Sequence, residues 1–286
     1  MAWFSDSYKL SFLVLFLLVP MKASTAIVTT DSFSRLQQLA DSSQDLGNIL
    51  VLLDFAKVMC THKDPWMLGH KKERQAVNSI KTFAKASSAL AQQVGPEKHK
   101  KLLGIFQKAR RYRLIDNTLP SVISALQQRS AKIIALTSFK AAGDAGTKNQ
   151  RFAALQKQGI DFSAAFPNHK ELILKKLEKH GKFPTFFKGI LSNAGIFSKG
   201  DVLRVFLNTI GWHPSKVIFY DDRLDNLASV QQVLASLGID FEGYLYTGFN
   251  KLPAYFDKKI AELQVNHLIK HERWISGHKA KRLLKR

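Results

Sequence analysis

Two carboxylates stand side by side at Asp221 and Asp222, straight after the apolar run Ile218-Phe219-Tyr220, and Asp225 follows three residues on. Adjacent aspartates repel each other and are poor strand formers. A cation held between them explains such a pair at the end of a buried strand, and Mg²⁺, which demands hard oxygen ligands, suits it. The same signature occurs once upstream, where Ile49-Leu50-Val51-Leu52-Leu53 runs into Asp54. Two strand tips that each deliver a carboxylate suggest one metal site assembled from sequence-distant parts.

The elements that must position these residues alternate. Asp31 to Leu39 reads as a capped amphipathic helix and Asn48 to Leu53 as the first strand. Leu119 to Gln128 reads as a helix with Pro120 near its start, Lys132 to Leu136 as a strand ending at Thr137, and a loop and helix run on to Lys157. A further helix is expected over Lys170 to His180, with Phe186 to Leu191 extended. Ser198-Lys199 opens a helix that reaches Ile210, Lys216 to Tyr220 is a strand, Leu227 to Leu237 a helix and Tyr244 to Tyr246 a final strand. Lys251 to Lys270 reads as mostly helical. Apolar strands alternating with helices predict an α/β fold whose parallel sheet is covered on both faces. Ligands in such folds sit beyond the carboxyl ends of the strands, where Asp54, Thr137 and Asp221 all fall.

Residues 70–113 lack a strand pattern and carry Ala-rich and Lys-rich helical periodicity broken at Gly95-Pro96, which predicts a helical insert of two or three helices. The expected organisation is a leader over 1–26, a core over 27–69 and 114–270, the insert over 70–113 and a basic tail over 271–286. The leader is read from Lys9, the apolar run Leu10 to Val19, Pro20 and the small residues ending at Ala26. That is the layout of a secretory signal peptide with cleavage after Ala26, and the run is too short to span a bilayer. Export to the periplasm or the medium is the expectation.

Composition narrows the partners. The chain of 286 residues carries 43 Lys and Arg against 22 Asp and Glu, a formal charge of +21. Basic clusters at 98–101, 108–113 and 279–286 would draw phosphorylated or otherwise anionic small molecules, with an acidic protein or an anionic lipid surface as further candidates. No nucleic-acid module accompanies the charge. The single cysteine, Cys60, excludes an intrachain disulfide and reads as a small buried side chain rather than a reactive thiol. His62, His70 and His99 lack metal-ligand spacing and read as surface histidines, while Trp66 reads as packing for the insert.

With these residues in view, the order of elements resembles the haloacid dehalogenase-like (HAD) superfamily over about Asn48 to Gly248. It is most similar to an exported bacterial, DUF2608-like branch whose function is not characterised. The resemblance implies a HAD-like Rossmannoid parallel sheet with helices on both faces and a helical cap inserted after the first strand. The superfamily's first motif, Asp-x-Asp-x-Thr or Val, is matched by Asp54-Phe55-Ala56-Lys57-Val58. Asp54 matches the nucleophile that forms an aspartyl-phosphate. Ala56 stands where the family has its general acid, and only its main-chain carbonyl could still serve the metal. Thr137 and Lys199 match the phosphate-binding residues of the second and third motifs. Asp221 and Asp222 match the paired metal ligands of the fourth, with Asp225 a further candidate.

The resemblance therefore implies an exported, Mg²⁺-binding phosphohydrolase-type protein with a degenerate first motif and weak or specialised phosphatase activity. General acid-base catalysis is worth about 10²–10⁴-fold, so Ala56 slows ester hydrolysis most and good leaving groups such as acyl phosphates least. The alternative is a catalytically inactive protein of the same fold that binds a partner through its basic surface.

Overall fold

A computed structural model of the protein describes residues 27–64, 89–139, 145–252 and 257–285. The expected leader over 1–26 and its cleavage point, together with Trp66, His70 and the insert as far as residue 88, lie outside the described residues.

Strand β2 (Ile49–Leu53) is apolar at every position and buried along its whole length, as a strand covered on both faces must be. It lies between β9 (Lys216–Asp221) and β5 (Lys132–Thr137), parallel to both. Outward from β9 come β10 (Asp240–Tyr246) and the edge strand β1 (Ile27–Thr30), both parallel. Beyond β5 come β8 (Ile190–Ser192), parallel, and then β7 (Thr185–Phe187) and β6 (Glu171–Ile173), both antiparallel. The order is β1-β10-β9-β2-β5-β8-β7-β6, an eight-stranded, mostly parallel sheet.

Alternation along the central strands sends Val51, Leu53, Ile133 and Ile218 to one face and Leu50, Leu52, Ile134 and Phe219 to the other. Helices α1 (Ser34–Asp41) and α4 (Leu119–Gln128) cover the first face, with Leu155 of α5 (Ala145–Gln156) beside them. Helices α6 (Lys199–Ile210) and α7 (Leu224–Ser236) cover the second. These two helices touch closely because Gly200 has no side chain: a Cβ there would meet the Ser229 carbonyl oxygen at 2.1 Å.

Several expectations need correcting. Ile27–Thr30 precedes Ile49–Leu53, so the Asp54 strand is the second in chain order. The helix expected over Lys170 to His180 does not form. Glu171–Ile173 instead pairs antiparallel with Thr185–Phe187, and His180 and Gly181 take positive φ in the loop between them. The Lys-rich, Leu-spaced pattern is helical in propensity, but ladder partners for its backbone decide otherwise. Phe186 to Leu191 is two strands, not one. Lys188 and Gly189 turn between them with φ of 47° and 81°, as a two-residue hairpin loop with both φ positive requires.

No sequence pattern announces the short antiparallel pair β3 (Cys60–His62) and β4 (Tyr112–Leu114). It frames the insert, of which α2 (Ala89–Val94) and α3 (Pro96–Lys108) are described. Leu90, Leu102 and Phe106 of these helices share a cluster with Ala261 and Leu268 of α8 (Lys258–His271). The insert thus packs on the C-terminal region. The stretch read as a basic tail contains α9 (Gly277–Leu283), capped by Ser276. Asp64 ties this corner together: its Oδ1 accepts from Gln264 Nε2 at 3.2 Å and from the Gly277 amide at 3.1 Å. Among the described residues no helix is long and apolar enough to cross a membrane.

Candidate metal and anion site

Register puts the two Asp tips side by side. β2 and β9 run in step from Ile49 with Lys216 to Leu53 with Tyr220, and the Asp54 amide donates to the Tyr220 carbonyl at 3.0 Å. Asp54 and Asp221 therefore leave neighbouring strand ends at one level. Carboxylate oxygens of Asp54, Asp221 and Asp222 lie within 4.8 Å of one another.

A single ammonium holds two of the three. Lys199 Nζ donates to Asp54 Oδ1 at 2.7 Å and to Asp221 Oδ2 at 2.6 Å. Its side chain is 1% exposed and that of Asp221 is fully buried, so water does not screen these pairs. Lys199 reaches the site because it is the first residue of α6. Ser198 caps that helix by accepting from the Asp201 amide, and Gly200 lets its first turn lie against α7.

The other oxygen of Asp221 is fixed by neutral donors, the Arg223 amide and Asn226 Nδ2, each at 2.9 Å. Burial pushes the Asp221 carboxyl up to about 6, with Lys199 pulling it down and the charge of Asp54 adding to the rise. Asp222 is raised as well, first by burial, against the opposing charge of Lys57. Burial alone would lower Lys199, but the carboxylates of Asp54 and Asp221 outweigh it and hold the ammonium above its ordinary range.

Nothing in the sequence singles out Lys57. It sits at φ 66°, in the left-handed region, and its Nζ lies 3.3 Å from Asp222 Oδ2 and 5.7 Å from the centre of the Phe249 ring. Ala56 beside it is exposed and offers no side-chain acid. Thr137 is buried at the end of β5, one strand over from Asp54, with its carbonyl accepting from the Asn193 amide at 3.2 Å. Asp225 does not join the cluster. It forms an exposed ion pair with Arg223 on the first turn of α7. Asn226, one residue further, is the side chain that does reach Asp221.

The histidines also depart from expectation. His99 is buried on the inner side of α3, and His62 is half-buried, its ring packed on Tyr112 with centroids 4.7 Å apart. Cys60 is buried as expected, and burial pushes its thiol up to about 12. A thiol so far from ionising is a poor nucleophile.

The family model described as "Protein of unknown function (DUF2608)" matches residues 29–281. The chain belongs to the DUF2608 family. The match takes in Asp54, Thr137, Lys199, Asp221 and Asp222, so the whole cluster lies within the DUF2608 region. An uncharacterized protein of Rickettsia felis (strain ATCC VR-1525 / URRWXCal2) is 34% identical over 131 residues, covering 43% of this chain and 44% of the relative. Uncharacterized protein RP296 of Rickettsia prowazekii (strain Madrid E) is 21% identical over 175 residues, covering 61% of this chain and 64% of the relative. The match thus spans less than two thirds of the length of either relative. No solved structure matches the chain significantly. The DUF2608 chain therefore carries a buried three-carboxylate cluster that could hold a metal, on an α/β sheet with helices on both faces.

Proposed function

We propose that this protein is a HAD-like, Mg²⁺-binding phosphohydrolase-type protein whose first motif has lost its acid. The observation that carries the reading is Lys199, buried and bonded at once to Asp54 and Asp221. The HAD resemblance implies a lysine that steadies Asp54 and neutralises phosphate charge, and the bond to Asp221 ties the same ammonium to a metal-binding candidate. The parallel run β10-β9-β2-β5-β8, with Asp54 on its middle strand, supports the same reading.

The donor set suits the metal. Asp54, Asp221 and Asp222 offer closely spaced carboxylate oxygens, and the Ala56 carbonyl belongs to the same tip. When bound, Mg²⁺ would supply positive charge to a phosphoryl oxygen. The chain's own residues do the rest. Asp54 presents a carboxylate oxygen as the nucleophile, Lys199 steadies it and adds charge for the phosphoryl group, and Thr137 is the expected hydroxyl partner of that group. Ala56 supplies no proton to the leaving oxygen, so substrates whose leaving group departs unprotonated are favoured. Export through residues 1–26, with an anionic substrate or partner drawn by the basic surface, completes the proposal.

Lys57 favours a second reading. Its ammonium against Asp222 balances part of the acidic charge without a metal, as an inactive binding protein of this fold would require.

Phosphate release from acyl phosphates and phosphoesters, with and without Mg²⁺, separates the two readings. A phosphohydrolase turns over acyl phosphates in a Mg²⁺-dependent way and loses that in Asp54→Asn. A silent parent that gains activity in Ala56→Asp would mark an intact but disarmed site. Silence in the parent and in Ala56→Asp would overturn the phosphohydrolase reading.

A further inference from the structure

On the other side of the Asp54 tip lies a half-buried cation with no carboxylate partner among the described residues. The Arg151 guanidinium of α5 lies 4.1 Å from the centre of the Phe55 ring, 5.6 Å from that of Phe139 and 5.8 Å from that of Tyr112. Its Nη1 is buried and makes no hydrogen bond. Phe55 follows Asp54, and Phe139 lies two residues beyond Thr137, so Arg151 touches the tips of both β2 and β5.

Two further groups in this patch are equally unsatisfied. His62 Nδ1 on β3 and Arg110 Nε just before β4 are both buried without a hydrogen-bond partner. The charges of Arg110 and Arg151 both bear on His62, and together with burial they hold its imidazole neutral, down at about 3. A neutral imidazole still has one N–H to donate.

A guanidinium N–H buried without an acceptor has lost its water and gained nothing in return, and the oxygens of an anion would satisfy it. Cation–π contact attracts the charge but offers no oxygen acceptor, so the aromatic rings around Arg151 do not take that place. A planar fork of N–H donors matches phosphate or carboxylate oxygens two at a time. We propose that Arg151, with Arg110 and His62 beside it, forms an oxyanion-binding subsite between the β3–β4 hairpin and the strand tips. It takes the phosphate or carboxylate group of a ligand. The subsite is independent of the phosphohydrolase reading, since none of its donors belongs to the carboxylate cluster.

The test is a calorimetric titration of the full mature chain, in EDTA, with inorganic phosphate and separately with succinate. Either anion should bind and should shift the His62 ring resonances. Arg151→Met should weaken that binding about tenfold or more, and Arg151→Lys, which keeps the charge but loses the fork, by less. Lys100→Met, which removes an exposed lysine of α3 and no donor from the subsite, should leave it unchanged within about threefold. The tighter of the two anions names the group. If Arg151→Met does not fold, Arg151→Lys decides alone: weakened binding bears the subsite out and wild-type binding overturns it. Absence of binding by the wild type, or binding unchanged in Arg151→Met, also overturns it. Loss in Lys199→Met with none in Arg151→Met would move the anion to Lys199, sinking the subsite and leaving the phosphohydrolase reading intact.

Discussion

Two cations, Lys199 buried and Arg151 half-buried, flank the Asp54-Phe55 dipeptide from opposite faces of the sheet, and their surroundings differ in kind. Lys199 arrives from α6 on one face and meets two carboxylates, at 2.7 and 2.6 Å. Arg151 arrives from α5 on the other face and meets aromatic rings, with one nitrogen left unpaired. The first cation is paired with two carboxylates, whereas the second has none among the described residues. A buried ion pair resists the loss of either member, because what remains is an uncompensated charge. A half-buried cation with a buried N–H left unpaired costs the empty protein some stability, and a ligand that binds it recovers that cost.

The contrast is sharpest in stability. Lys199→Met should destabilise the protein by about 3–5 kcal/mol in urea unfolding, because it strands Asp54 and Asp221 against each other. An effect below about 1 kcal/mol would mean that the pair is not shielded as described. Lys57→Met should have a smaller effect, and on a different quantity. Removing the ammonium that sits on Asp222 should tighten Mg²⁺ binding a few-fold, by about 0.5–1 kcal/mol, since an exposed lysine is a weak competitor. Weaker Mg²⁺ binding in that variant would assign Lys57 a supporting role instead. Arg151→Met should change stability least. The methionine fills much of the same space against Phe55, and the lost cation–π contact is offset by relief from burying a charge. The net change without ligand should stay within about 1 kcal/mol. A loss as large as that from Lys199→Met would mean that Arg151 is paired after all, and the comparison would fail.

The two sides are not equally legible in the sequence. Asp54, Asp221 and Asp222 stand out because a carboxylate straight after four or five apolar residues is a local signature of a strand tip. Lys199 is readable from its place at the start of a capped helix. Lys57 is hidden because its side chain is aimed by a positive φ, which the residue type does not announce. Arg151 looks like any basic residue of an amphipathic helix. Its burial depends on the β3–β4 hairpin, two three-residue strands separated by the whole insert. Strands so short leave no readable period. The misread helix over Lys170 to His180 has a similar cause, since its partner in the ladder lies at Thr185–Phe187 and local propensity favours the wrong state. Asp225 and Asn226 show the limit at the site itself. The carboxylate is the natural candidate, yet the first turn of α7 directs it to Arg223 and gives the contact with Asp221 to the amide.

Calorimetric titration of the mature protein with Mg²⁺ tests the central claim most directly, run at about pH 7.5 and about pH 5 beside Asp221→Asn. Asp221 carries its charge above about 6, so protonation on acidification removes a ligand and affinity falls with pH. The account predicts one site per chain at the higher pH, weakened at least about tenfold at the lower pH and abolished in Asp221→Asn. Mg²⁺ binding that ignores both the acid and the substitution, or no binding by the wild type at millimolar Mg²⁺, would contradict it.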